Sequence, residues 1–524
     1  MASQTVHDGG NVYKRSNLKV IGYCMIVGLL AVTQGLDIGE TAGFLAMPRF
    51  NQDFGSYSAA TQAWSTTAGQ QTEMFGLLLG GAIVSSAASG WIGAHWGRRF
   101  GIFLGAITAF INPIIQATVT TWPGFMVGKV ISGIGIGFGQ TFVIPYWSET
   151  TPAALRGMML VALQGIINVF TFVGQCINEG THGLTTRWAY RGPLLTELLA
   201  PLILLVLVYW IPETPRYLVS RGRYDDAVNA MRKLRGPTYP EAEIQEEVKE
   251  VMAMDRIEKE LEGASRWRDC FQGTDLRRTV VSVIAILCQE FSGIAFITGY
   301  GTYFFSISGV TNPFVISVIT GLCGIVGSAA AFPLIKFFGR RPILITGAAA
   351  QGVSMLTFAI VAVAAPGSKA ASQCLAAFVS LFIFSYGATW GAVGPVVLGE
   401  LSSTKLRSKT LALCYIAGWS ADLLIICGTP YLISADYANL GAKVGFIFGG
   451  ISILVFIWCF LCLPETKDRT LEEIDEMFMN KVPARKFKTY VITKNVQGIS
   501  VQAAMDVLAE KVAVSTVETV ERAV

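Results

Sequence analysis

The chain has 524 residues, 52% of them hydrophobic and 15% charged, with mean hydropathy +0.51 and a formal net charge of +4. A water-soluble chain this long needs several charged surfaces and roughly 25% charged residues, so a soluble multidomain protein is excluded. Residue usage is too varied for a collagen-like or low-complexity chain, and the small scattered charge gives no footprint for nucleic acid, which leaves an all-α polytopic membrane protein.

A helix needs about 20 apolar residues to cross about 30 Å of hydrocarbon. After a polar tail (1–17), such runs begin near Leu18, Thr67, Phe100, Gly124, Met158 and Pro193. These six fill an N-terminal half, 18–211. The stretch 212–278 is densely charged, and over Glu241–Leu261 acids and bases recur at three- and four-residue spacing. That pattern predicts surface helices in a linker. The linker has no His, one Cys and too few apolar residues for the core of a catalytic domain. Six more runs begin near Thr279, Phe314, Pro342, Cys374, Thr410 and Val444, filling a C-terminal half, 279–463. Twelve spans are therefore predicted. The runs are continuous rather than alternating, which excludes the strands of a membrane barrel. The first run is long and lacks a small-residue cleavage site, so it is expected to remain as a span. The tail, 464–524, is polar from about Lys486, with a short helix expected near Val501–Val512.

Most of the ten Cys sit in apolar runs, where a free thiol behaves as a small hydrophobe, and no disulfide framework is expected. Cys459 and Cys462 form a C-x-x-C inside an apolar run and read as packing residues. Basic residues mark one set of loops: Lys14, Arg15 and Lys19 before the first run, Arg98 and Arg99 after the second, Arg156 after the fourth. The same holds for Arg340 and Arg341, for Lys405, Arg407 and Lys409, and for Lys467 and Arg469. The alternate loops are poorer in them, Arg187 and Arg191 being the main exception. The bias assigns both termini to the cytoplasm.

Three landmarks occur twice in the same order. Gly97-Arg98-Arg99 recurs as Gly339-Arg340-Arg341, Glu149 with Arg156 recurs as Glu400 with Arg407, and Pro212-Glu213-Thr214-Pro215-Arg216 recurs as Pro464-Glu465-Thr466-Lys467. The near-constant offset means duplication: two six-helix halves in the same orientation, with a solute site expected at mid-membrane between them. The repeated charges lie at the cytoplasmic ends of spans. There Arg98, Glu149, Arg156, Glu213, Arg216, Arg340, Glu400, Arg407 and Glu465 are expected to pair, hold an inner gate shut and separate as it opens. The competing reading is that the basic residues only mark topology.

On these residues, together with Pro145-Tyr146, Arg156-Gly157 and Leu471-Glu472-Glu473-Ile474-Asp475, the chain resembles the sugar porter family of the major facilitator superfamily from about 18 to 480. The stretch Gly299-Tyr300-Gly301-Thr302-Tyr303-Phe304-Phe305 resembles fungal α-glucoside carriers. The resemblance implies a twelve-helix sugar carrier with a cytoplasmic helical bundle between its halves. Departures stand beside it. Ala94 and His95 replace the usual Asp and Arg before the first Gly-Arg-Arg, and Lys336 and Phe337 precede a shortened second copy. In the seventh span the family's Q-Q-x-S-G-x-N reads Gln289-Glu290-Phe291-Ser292-Gly293-Ile294-Ala295, and Pro395 stands where a Trp is usual before Glu400.

A sugar is a ring of hydroxyls with apolar faces, so its site needs amides or carboxyls and aromatic surface. The resemblance places Gln164, Gln289 and Glu290 on sugar contacts. Asn168 lies one turn from Gln164, and Trp390 and Trp419 are candidate stacking surfaces. The alternative for each is hydrogen bonding between helices or plain packing. Ionisable groups inside spans cost at least about 2.5–3.5 kcal/mol, so Asp37, Glu73, Lys129, Glu197, Glu290 and Asp422 must be paired or line a cavity. Asp37, in Gly35-Leu36-Asp37-Ile38-Gly39, resembles the first-span acid of proton-coupled members, with Lys129 where an Arg partner is usual. Asp37 and Lys129 thus read as a proton-coupling pair, with a structural pair in a facilitative carrier as the alternative.

The combined expectation is import of an α-glucoside or hexose with protons by a protein that works as a monomer in the plasma membrane, or an internal membrane such as the vacuole. A facilitative uniporter, a carrier of a polyol or quinate-like solute, and a non-transporting sugar sensor remain as alternatives. His7, His95 and His182 are too scattered for a metal site, no nucleophile–base pair is visible, and no cofactor or enzyme activity is expected.

Overall fold

The computed structural model describes residues 15–490 except 59–62, 238, 265, 367, 404–405, 435, 468 and 470. Residues 1–14, Lys405, the helix expected near 501–512 and the side chain of Arg156 lie outside the described residues. Among the described residues, eleven helices are long and apolar enough to cross a membrane, and a helix pair bent by 40° makes the twelfth. The bent first span (Arg15–Val27 and Leu29–Phe44) turns at Gly28, where a Cβ would lie 2.9 Å from the Trp147 ring.

The second to fifth spans are Ala68–Trp96, Arg98–Thr118, Trp122–Thr150 and Ala153–Thr181, and the sixth is Trp188–Thr196 continued by Leu199–Leu207. The seventh, Gly273–Gln289 then Ala295–Ile307, is interrupted by a π-helical turn, Glu290–Ile294. Gly293 sits there at φ 100°, and a Cβ on it would lie 2.9 Å from Phe448. Only glycine takes that conformation without strain, so the span breaks where the sequence puts Gln289 and Glu290. Pro313–Phe337, Arg340–Ala364, Arg407–Ile433 and Val444–Cys462 are the eighth, ninth, eleventh and twelfth spans. The tenth, Lys369–Ala388 then Trp390–Leu401, breaks at Thr389.

The duplicated motifs build one device twice. Glu213 accepts backbone N–H groups of Arg98 and Arg99, both at 3.1 Å, at the start of the third span. Glu465 accepts those of Arg340 at 2.9 Å and Arg341 at 3.2 Å, at the start of the ninth. A carboxylate here satisfies donors that a helix leaves unpaired and meets the positive end of its dipole. The glycine of each motif gives clearance: a Cβ on Gly97 (φ 91°) or Gly339 would collide with the Glu213 or Glu465 carboxylate. The second arginine closes the tie. Arg99 donates to the carbonyls of Val208 (2.9 Å) and Tyr209 (2.8 Å) beyond the sixth span, and Arg341 to that of Phe460 (2.8 Å) in the twelfth.

The first arginine makes the ion pair: Arg98 with Glu149 at 3.0 Å, Arg340 with Glu400 at 2.8 Å. Thr466 also donates to Glu400 at 2.5 Å. Both pairs lie within one half. Neither joins the halves, and Arg407 is exposed.

The linker helices Pro215–Ser220, Tyr224–Arg235 and Glu241–Ala264 bury a small apolar core of Tyr217, Leu218, Ala227, Met231, Ile244 and Val248. The sequence reading had found too little apolar material there for a core. Three short helices suffice because they rest on the first half, where Tyr217 and Arg221 donate to the His95 carbonyl at 2.8 and 2.9 Å. After the twelfth span, Leu471–Met479 packs on the second half through Arg278, which pairs with Asp475 at 2.5 Å.

On the side away from the linker, a short helix, Pro48–Phe54, sets Phe50 and Phe54 against Phe125 and Tyr190. Asp53 there pairs with Arg49 at 2.9 Å and Arg187 at 3.2 Å. Arg187, the exception in the charge bias, thus has a local partner. Two three-residue strands, Ser56–Ser58 and Ala63–Ser65, pair antiparallel with Tyr57 opposite Trp64.

Removing a capping carboxylate strands two helix-start donors at once. Glu213→Ala and Glu465→Ala should each cost about 1.5–3 kcal/mol. The check is the apparent melting temperature of the purified protein in detergent, which should fall for both and not for exposed Glu250→Ala.

Candidate functional site

The two halves meet at mid-depth and on the side away from the linker. Asn168 of the fifth span donates to Ser328 of the eighth at 2.6 Å. Farther out, Thr72 donates to the Cys427 carbonyl at 3.0 Å, and Phe75 meets Tyr300 edge-on with centroids 4.8 Å apart. His182 stacks on Phe314 at 4.3 Å.

Toward the linker side the seam opens into a cavity of 490 Å³. Its wall runs from Gln164 and Gln289 to Gly157 and Leu398, beside the motif ends. A second cavity of 350 Å³ continues it past mid-depth and shares Gln34, Gln140, Gln164, Trp419 and Asp422. Both sizes suit a small-molecule site. The Arg98–Glu149 and Arg340–Glu400 pairs are both formed beside this opening, and neither spans it. Each joins two helices of one half.

Side chains from both halves line the cavity. The first half contributes Gln34, Gln140, Gln164 and Asn168. Gln164 donates to Asn168 at 3.1 Å, so the two form a connected row on one helix face. The second half contributes Gln289, Glu290, Trp419 and Asp422. Gln289 is oriented by a 3.1 Å hydrogen bond to the Tyr386 hydroxyl, and the π-helical break turns Glu290 into the same space. Such a wall offers amide donors and acceptors and an aromatic face, the chemistry that holds a hydroxylated ring.

Trp390 is not part of that wall. It is 1% exposed, its indole N–H donates to the Leu344 carbonyl at 3.2 Å, and it packs in the core of the second half. Glu73 is exposed and accepts from the Trp122 indole at 2.8 Å, outside both cavities.

Asp37 lines the deeper cavity and meets Lys129 at 2.9 Å, with both side chains almost wholly enclosed. Lys129 also donates to Thr41 at 2.6 Å. Behind them lie Glu40 and Glu197, each 0% exposed, each with one carboxylate oxygen that no donor of the described residues meets. Thr196 donates to Glu40 at 3.0 Å and Asn112 to Glu197 at 3.4 Å. Glu40, Gln34, Gln140 and Tyr386 were missed in the sequence. Glu40 had a signal: it lies one helical turn beyond Asp37.

The family described as "Sugar (and other) transporter" matches residues 23–478. The major facilitator-type transporter ecdD of Aspergillus rugulosus is 32% identical over 479 residues, 89% of this chain and 88% of that one. The high glucose sensor RGT2 of Saccharomyces cerevisiae is 30% identical over 472 residues, 88% of this chain and 61% of the sensor. The inward-open structure of the xylose transporter XylE from E. coli superposes with a TM-score of 0.71 at 22% identity, over 87% of this chain and 99% of that one. That likeness establishes the fold.

Breaking a buried ion pair leaves an uncompensated charge and costs about 3–5 kcal/mol, whereas replacing both partners is far cheaper. Asp37→Asn and Lys129→Met should each lower the yield of folded protein by size-exclusion profile. The double variant should recover much of that loss. Additive losses would show that the two side chains are not coupled.

Proposed function

Since the chain belongs to the sugar (and other) transporter family, we propose that it is a secondary active transporter that imports a hexose or α-glucoside together with protons. In this reading it works as a monomer in the plasma membrane, with its termini and linker in the cytoplasm. The observation that carries it is the shared wall: Asp37, next to its cation Lys129, lines the same cavity as Gln34, Gln140, Gln164 and Asn168. A solute held by those amides sits beside a carboxylate able to exchange a proton.

The steps follow from the geometry. With the linker side open, water reaches Gln164 and Gln289. When the halves rock, the contacts around Thr72, Phe75 and His182 part and the opposite mouth opens. Asp37 then changes its hydration and its distance from Lys129, the two variables that decide whether a carboxyl keeps its proton. Gln164 and Asn168 hold the solute from the first half, Gln289 and Trp419 from the second, so a bound ring bridges the moving parts. The rigid ties at Glu213 and Glu465 keep each half intact during the motion.

A facilitative carrier is the competing reading, favoured by how completely Lys129 is enclosed (0% exposed side chain): a sealed pair serves structure alone. One measurement decides. In cells without their own sugar carriers, adding sugar to an unbuffered suspension should alkalinise the medium in wild type. Asp37→Asn should stop accumulation against a gradient while leaving counterflow exchange. Uptake with no pH change, indifferent to an uncoupler, contradicts symport.

A further inference from the structure

The charge on the cavity wall is one-sided. Among the described residues, Glu290, Asp422 and Asp37 line the two cavities, and no Lys, Arg or His does. Asp37 is neutralised by Lys129 at 2.9 Å. Glu290 and Asp422 have no such partner. Among the described residues no cation pairs with either and no hydrogen-bond donor of the protein meets them, and both line the larger cavity. They sit where the seventh span breaks and on the eleventh span, three residues beyond Trp419, whose side chain lines the same space.

An isolated carboxylate away from bulk water is costly, and two on one cavity wall are costlier. Neutral hydroxyls relieve that poorly. A cation relieves it well, through charge-assisted hydrogen bonds to both acids and through the indole face of Trp419. We propose that the solute is a hydroxylated ring bearing a protonated amine, an amino sugar, bound with its ammonium against Glu290, Asp422 and Trp419 of the second half and its hydroxyls against Gln34, Gln140 and Gln164 of the first. The inference rests on the reading of this cavity as the sugar site and narrows it to a charge class. It also makes the site unfavourable for an acidic solute.

The full-length protein in liposomes tests it with three labelled probes: D-glucosamine, D-glucose and N-acetyl-D-glucosamine, the last keeping the ring substituent but not the charge. Glucosamine should reach half-saturation at a concentration about tenfold or more below the other two, the scale of one charge-assisted bond. Glu290→Gln with Asp422→Asn should abolish that preference. Equal or better handling of the two neutral sugars by wild type overturns the charge assignment and leaves the sugar reading standing, with the acids then holding protons. A preference that survives the double variant also overturns it. Movement of none of the three by folded protein overturns the amino-sugar assignment and the hexose form of the sugar reading with it. Should the double variant not fold, the wild-type ranking decides alone.

Discussion

Hydrocarbon offers nothing for a helix end or a stray charge to bond to, so each polar group in this protein must find its partner inside the bundle. The starts of the third and ninth spans show how that constraint is met. Glu213 and Glu465 fill the exposed donors of a helix that begins at the membrane edge. Arg99 and Arg341 fill the carbonyls where the last span of the same half ends. Each half is thereby closed on itself at its linker end. Across the seam the interactions are of another kind: ring contacts and single hydrogen bonds such as Asn168–Ser328. Strong bonds within halves and weak ones between them are what a rocking motion needs.

The seam is also where regular helix is given up. The seventh span breaks at Gly293 and the tenth at Thr389, and beside these breaks stand Gln289, Glu290 and Gly391 of the cavity wall. Local cost at these points, of the kind π-helical turns carry, is offset by packing such as Phe448 on Gly293. The result, among the described residues, is a division of labour: the first half presents mainly amides with the paired Asp37, the second one amide, Gln289, with two unpaired acids. A solute that satisfies both faces joins them, which couples binding to the position of the halves.

Much of this was legible in the sequence because the bilayer makes polar residues conspicuous. Twelve greasy runs and a duplicated set of charges gave the architecture, and the resemblance to sugar porters brought Gln164, Gln289 and Glu290 forward, with Asn168 and Trp419 beside them; the fold places all five on the cavity wall. Asp37 and Lys129 could be matched because the resemblance puts Lys129 where the partner of the first-span acid is usual, and the structure pairs them at 2.9 Å. What remained hidden depends on direction rather than composition. Nothing in a row of letters shows that Glu213 turns toward backbone donors rather than an arginine side chain, or that Trp390 points into the core of its own half. Nor does it show that Arg98 and Arg340 find acids in their own half, since gate latches and rigid ties use the same residues. Glu40 escaped because it shares a turn with Asp37 and reads as part of one acidic site.

The central claim is that two rigid halves rock about a seam that opens to one side at a time. Pulsed electron spin resonance measures it directly, on a background stripped of its native cysteines. One labelled pair, Ser220→Cys with Asn480→Cys, reports the linker side; another, Leu184→Cys with Tyr437→Cys, reports the far side. The account predicts two distance populations in each pair, shifting in opposite directions when the transported sugar is added: one side shortens as the other lengthens. Distances that stay single and fixed in both pairs, or that change in the same direction, would contradict it.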